Sequence, residues 1–165
     1  MHLEGEPPSD VTVIVAIMAV HRMDHVSIVV TDLDAAARFF TELGLEREGE
    51  ATVEGDWVDG VNGLDGVRVE IVMMAVPSPG TGRLELTRFL HPPLVDDQPE
   101  PAPPNTLGLR SIMFAVDDVD GTVARLAGHG GTLLGSVEQY ENAYRLCYVR
   151  GPGGIIVSLA QALTP

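Results

Sequence analysis

Apolar and polar residues alternate with a period of two in "HVSIVV" from His25 and again in "SIMFAV" from Ser111, and each run ends in a cluster of aspartates. A period of two predicts strands. Val26, Ile28 and Val30 then share one face against His25, Ser27 and Val29, and Ile112, Phe114 and Val116 oppose Ser111, Met113 and Ala115. After the aspartates the period lengthens to that of a helix. Ala36, Phe39, Phe40 and Leu43 fall on one stripe, as do Val119, Val123, Leu126 and Ala127. Asp32 and Asp118 are placed to cap these helices, with Gly44 and Gly130 closing them.

The two stretches superpose at an offset of 86 positions, which puts Asp32 on Asp118, Asp34 on Asp120 and Gly44 on Gly130. Such self-similarity marks a duplicated unit. Each helix is followed by three strand-like runs: "EREGEATVE", "GVRVEIVMMAV" and "RLELTRFL" in the first copy, and "GTLLGSV", "AYRLCYVR" and "GIIVSLAQ" in the second. The closing strands both follow a Pro-Gly turn, and they sort Leu84 and Leu86 against Arg83, Glu85 and Thr87, and Val157 and Leu159 against Ile156, Ser158 and Ala160.

The expected fold is therefore α+β: two βαβββ modules forming a curved, cup-like mixed sheet with helices on its outer face. The first module spans residues 23–91, a Pro- and acid-rich linker 92–106, and the second module 107–162. Residues 1–22 read as an N-terminal leader with an extra strand at Val11–Val20, and Met18 and Met23 are alternative starts. "EGDWVDGVNGLDG" reads as a long loop in which Trp57 either covers a pocket or anchors the loop. The polar sheet face gathers His25, Ser27, Arg83, Glu85, Thr87, Ser111 and Ser158, with Met113 among them. It is either the floor of a cavity or a solvent-facing sheet.

Composition narrows the partners. The net charge of −14 repels phosphate backbones and no basic cluster offsets it, which argues against nucleic acid. Ten apolar residues at Val11–Val20 fall short of the roughly 20 that span a bilayer, so no membrane partner is expected. The single cysteine, Cys147, allows no intrachain disulfide and suits a reducing cytoplasm; within "YRLCYVR" it reads as a small core residue.

"MDHVSIVVTDLDAAARFFTELGL", "LRSIMFAVDDVDGTVARLAGHGG" and "VRGPGGIIVSLAQ" resemble the opening and closing parts of modules in the vicinal oxygen chelate superfamily. That group contains glyoxalases, bleomycin-resistance proteins, extradiol dioxygenases and methylmalonyl-CoA epimerases. The resemblance covers roughly Met23 to Ala162 and implies a cup with one metal ligand from the first and last strand of each module. Carried over, those positions are His25, Glu85, Ser111 and Ser158, of which His25 and Glu85 are competent ligands for zinc, nickel, manganese or iron.

The resemblance implies two classes of function. One is a glyoxalase-like lyase or isomerase acting on a small carbonyl- or oxygen-rich substrate through a degenerate metal site. Glu85, or Glu138 or Glu141 if either faces inward, would move the proton, with Tyr140 or Tyr144 as acids and Arg110 or Arg145 as anchors for a substrate anion. The other is a metal-free protein of the bleomycin-resistance type that holds a cationic ligand or antibiotic. A dioxygenase is disfavoured because its iron site needs two histidines and a carboxylate. A homodimer is expected, on the family's habit and the apolar Val11–Val20 segment.

Overall fold

The Asp32 carboxylate accepts the Ala35 N–H at 2.9 Å and starts α1 (Leu33–Leu43), while Gly44 ends it with φ at 119°, a backbone state open to glycine. The second copy repeats the start: Asp118 accepts the Gly121 N–H at 3.1 Å and opens α3 (Val119–Ala127). Its end differs from the expectation, because Gly128 rather than Gly130 is the cap, and Ala127 is exposed. These details belong to a computed structural model that describes residues 20, 22–79 and 81–163 of the 165-residue chain. All but the last residue of the strand expected at Val11–Val20 lies outside the described residues.

The chain runs β1 (His25–Val29), α1, β2 (Glu46–Glu54), α2 (Asp56–Asn62), β3 (Arg68–Ala75), β4 (Arg83–His91), β5 (Ser111–Ala115), α3, β6 (Thr132–Tyr140), β7 (Tyr144–Arg150) and β8 (Ile156–Ala162). Two four-stranded mixed sheets result, ordered β1-β4-β3-β2 and β5-β8-β7-β6. In each, the first strand of the module lies parallel to the last, and the other pairs are antiparallel. His25 sits beside Arg83 and Ser27 beside Glu85, just as Ser111 sits beside Ile156 and Met113 beside Ser158. The duplication read in the sequence is the symmetry of the fold.

One face of each sheet takes its helix. Phe39 and Phe40 are wholly buried and meet edge to face with centroids 5.2 Å apart, each contributing about 1.5–3 kcal/mol of apolar burial. The core is continuous across the modules, from Ile28, Leu84 and Leu86 in the first to Leu126, Val149, Val157 and Leu159 in the second. α1 and α3 touch each other, and the turn at 152–154 packs on β1. There Gly153 (φ 66°) sits so close to β1 that a Cβ would stand 2.7 Å from the Val29 carbonyl oxygen.

One element overturns an expectation. The segment read as a loop around Trp57 contains α2, which lies over the opposite face of the first sheet. Its Val58 is buried with Val67 and Val69, and Val53, Ile71 and Phe89 pack around them. The Asp59 carboxylate fastens the helix by accepting the Gly66 and Val67 N–H groups at 2.8 and 2.7 Å. Val58 is thus the anchor, and Trp57 is 67% exposed.

Candidate functional site

With α1 and α3 on one face, the alternation of β1 and β4 delivers His25, Ser27, Arg83, Glu85 and Thr87 to the other. Glu85 is the centre of this group. Its Oε1 accepts from Ser27 Oγ at 3.0 Å and from Thr87 Oγ1 at 3.1 Å, and its Oε2 faces His25 Nε2 at 3.7 Å. The two hydroxyls occupy one carboxylate oxygen and leave the other to the imidazole. His25 Nδ1 in turn lies 2.9 Å from Asp24 Oδ2. That hydrogen bond, followed by one from Arg22, holds the Asp24 carboxyl down to about 2. When ionised Asp24 accepts the Nδ1 proton, a neutral ring presents a bare Nε2 lone pair to Glu85. Two acceptors then confront one another, an arrangement relieved by a proton, a cation or a donor group of a ligand.

Arg83 does not neutralise Glu85. Its guanidinium instead makes a two-pronged pair with Glu48, both contacts at 3.0 Å. Glu48 is the extra residue of a bulge between Arg47 and Gly49, which turns its side chain to the same face as Arg83. Arg88 points to the helix side, where it bonds Glu70.

The second module presents a different face. Ser111 and Ser158 hold the positions of His25 and Glu85 in the duplicated sheet. Ser111 is exposed, whereas Ser158 is buried with no hydrogen-bond partner for its hydroxyl. Around Ser158 the register places Met113 and Tyr148, and further along the same face Leu146, Glu138, Tyr144 and Tyr140. All three tyrosines of the chain stand here, 42–60% exposed. Glu138 is engaged by Ser136, and Glu141 lies at the hairpin tip with φ at 49°.

Arg145, expected in the cavity, is on the helix side. It shares the face of the buried Cys147 and forms a two-pronged pair with Asp120 on α3, which lowers the Asp120 carboxyl and raises the guanidinium from their ordinary values. Burial likewise pushes the Cys147 thiol up, in keeping with a core residue rather than a nucleophile. Trp57 lines neither of two cavities found among the described residues.

The larger cavity, about 790 Å³, lies where the modules meet. Its walls are β1 from Ser27, the turn at 151–154, the linker from Leu94 to Ala102, and Arg110 and Arg150. Ser27 borders both this space and the Glu85 carboxylate. Sequence reasoning passed over Asp24, Glu48 and Arg150. Asp24 adjoins His25 in "RMDHV" and was open to notice, while Glu48 depends on a bulge that alternation cannot foresee.

The sequence profile of the Glyoxalase/Bleomycin resistance protein/Dioxygenase superfamily matches residues 22–159. The chain belongs to this superfamily. A glyoxalase family protein from Bacillus cereus is 52% identical, with a TM-score of 0.84 over 90% of this chain and 99% of that one. Trypanothione-dependent glyoxalase I of Leishmania major shares the fold at 21% identity (TM-score 0.59; 86% of this chain, 87% of that one). The antibiotic-binding protein TnmS3 from a Streptomyces is 25% identical (TM-score 0.52; 88% and 98%). Among proteins of curated function, none matches the chain.

Superfamily members often use a divalent metal, so the donor set matters. His25 and Glu85 suit one, and Asp24 would orient the imidazole from behind as second partners of ligating histidines do. The two remaining positions carry serine hydroxyls, and no group of three or more His, Cys, Asp or Glu side chains converges among the described residues. Half of a four-ligand site is present and half is not. The residues do not fit a tightly held resident metal. No helix among the described residues is long and apolar enough to cross a membrane.

Proposed function

We propose that this superfamily member is a glyoxalase-like lyase or isomerase that moves a proton on a small carbonyl- or oxygen-rich substrate, with Glu85 Oε2 as the base. The alignment of Asp24, His25 and Glu85 carries the reading. Ser27 and Thr87 occupy Oε1, fixing the carboxylate's direction and leaving Oε2 as the free basic oxygen. An acidic C–H presented between Oε2 and Nε2 gives its proton to Glu85, and His25, oriented by Asp24, hydrogen-bonds the oxygen on which negative charge develops or returns a proton to it. That step requires a proton on His25 Nε2 while Nδ1–H donates to Asp24, so that both ring nitrogens act as donors.

The test is solvent deuterium exchange. In D2O, NMR of a panel of small α-hydroxy and α-keto carbonyl compounds should show loss of the C–H signal of at least one member with the wild type and not with Glu85→Gln. Equal exchange by both proteins removes Glu85 from the role.

A second reading, sequestration of an aromatic or cationic ligand without chemistry, is favoured by the exposed tyrosine face of the second module together with Ser111 and Ser158. Three aromatic rings on one sheet face offer a stacking surface. Tight antibiotic binding that survives Glu85→Gln but not Tyr148→Ala, in a protein without exchange activity, supports this reading over the first.

A further inference from the structure

We propose that the cavity between the modules binds an organic carboxylate, gripped by Arg110 and Arg150; the inference rests on the reading above, for it names the chemistry of the molecule delivered to Glu85. All ten basic side chains are arginines. Among the described residues six of them are paired with carboxylates: Arg22, Arg47, Arg68, Arg83, Arg88 and Arg145. The other four have no described carboxylate within ion-pair distance, and two of those four, Arg110 and Arg150, line the same cavity. In a chain with a net charge of −14, guanidinium groups left without an acid are the exception.

Their surroundings give further reasons. Arg110 Nε is buried with no hydrogen-bond partner among the described residues, so the protein itself does not use that donor. Arg150 is steadied by its own turn, Nη1 donating to the Gly154 carbonyl oxygen at 3.3 Å. A planar guanidinium matches a carboxylate in two-pronged geometry. Asp96 and Glu100 also line the cavity, on the linker, and disfavour an anion placed against them. Much of the remaining lining is apolar, Val29, Leu94 and Ile155 included, which suits a carboxylate with a hydrocarbon body. Ser27, whose hydroxyl bonds Glu85, also lines this cavity, so a body extending along β1 from the arginines would reach the residue beside Glu85.

Isothermal titration with phenylacetate and its neutral isostere phenylacetamide tests this. The wild type should bind the acid roughly tenfold or more tighter than the amide, and Arg110→Gln with Arg150→Gln should abolish that preference. Equal binding of acid and amide, binding of neither, or inorganic phosphate binding as tightly as phenylacetate overturns the assignment, and these comparisons use the wild type, so they stand even where the double variant fails to fold. Glu85→Gln should leave carboxylate binding within about twofold while ending proton exchange, which separates failure of this site from failure of the proposed reaction.

Discussion

His25 Nε2 and Glu85 Oε2 face each other at 3.7 Å, with the far side of each group already engaged: Asp24 holds Nδ1, and Ser27 and Thr87 hold Oε1. Both groups therefore turn one unused position toward the same space. Removing either should affect the reaction rather than the fold, because neither belongs to the apolar core. Glu85→Gln is expected to lower kcat roughly a hundredfold or more with little change in KM, the loss typical of a general base. A kcat within about twofold of wild type, measured on any compound found by deuterium exchange, excludes this role.

Asp24 supplies a pH signature. Its carboxyl is held down to about 2, first by His25 and then by Arg22, against an ordinary value of 3.8. A depressed carboxylate stabilises the folded state above the unfolded value and loses that contribution as the pH falls through the folded one. The Asp24–His25 link should thus be intact above about pH 4 and lost progressively toward pH 2. Carbon-detected NMR of the side-chain carboxyls should show Asp24 titrating near the lower end, and His25→Ala should move it upward. A midpoint near 3.8 in the wild type would show that the hydrogen bond does not form in solution.

Much of this was legible in the sequence because alternation fixes faces. His25, Ser27, Glu85 and Thr87 converge since each sits two residues from the next on neighbouring parallel strands, and Asp32 and Asp118 cap their helices as expected. The same rule places Arg145 with Cys147, two residues on, and so on the helix side; applied to β7 it would have kept Arg145 out of the cavity. α2 was obscured by Gly60 and two acids, Asp56 and Asp59, in a short segment, whose helical state depends on Val58 finding Val67 and Val69 in space. The cavity with Arg110 and Arg150 arises only once the linker crosses between modules that are far apart in sequence.

The junction of the modules is sensitive at one glycine. Gly153 has φ at 66° and a Cβ there would stand 2.7 Å from the Val29 carbonyl oxygen, whereas Gly154 has φ at 74° with nothing within 4 Å. Gly154→Ala should carry only the backbone penalty of about 1 kcal/mol, and Gly153→Ala the same penalty plus displacement of β1, about 2–4 kcal/mol in all. Thermal unfolding should place the melting temperature of Gly153→Ala several degrees below that of Gly154→Ala. Matching values would mean that the 152–154 turn does not press on β1.

Ser158 makes the complementary case, a polar atom whose removal should help. Its hydroxyl is buried without a partner at the position where the first module keeps Glu85, and an unpaired buried hydroxyl costs about 1–3 kcal/mol. Alanine deletes that atom and leaves a space too small to offset the gain, so Ser158→Ala should raise the melting temperature by a few degrees. Its effect on binding separates the two modules' roles. If the cup closes over a ligand that bonds this hydroxyl, the same substitution weakens binding while stabilising the free protein. A neutral change in both stability and affinity would show that the hydroxyl already has a partner in solution and takes no part in the site.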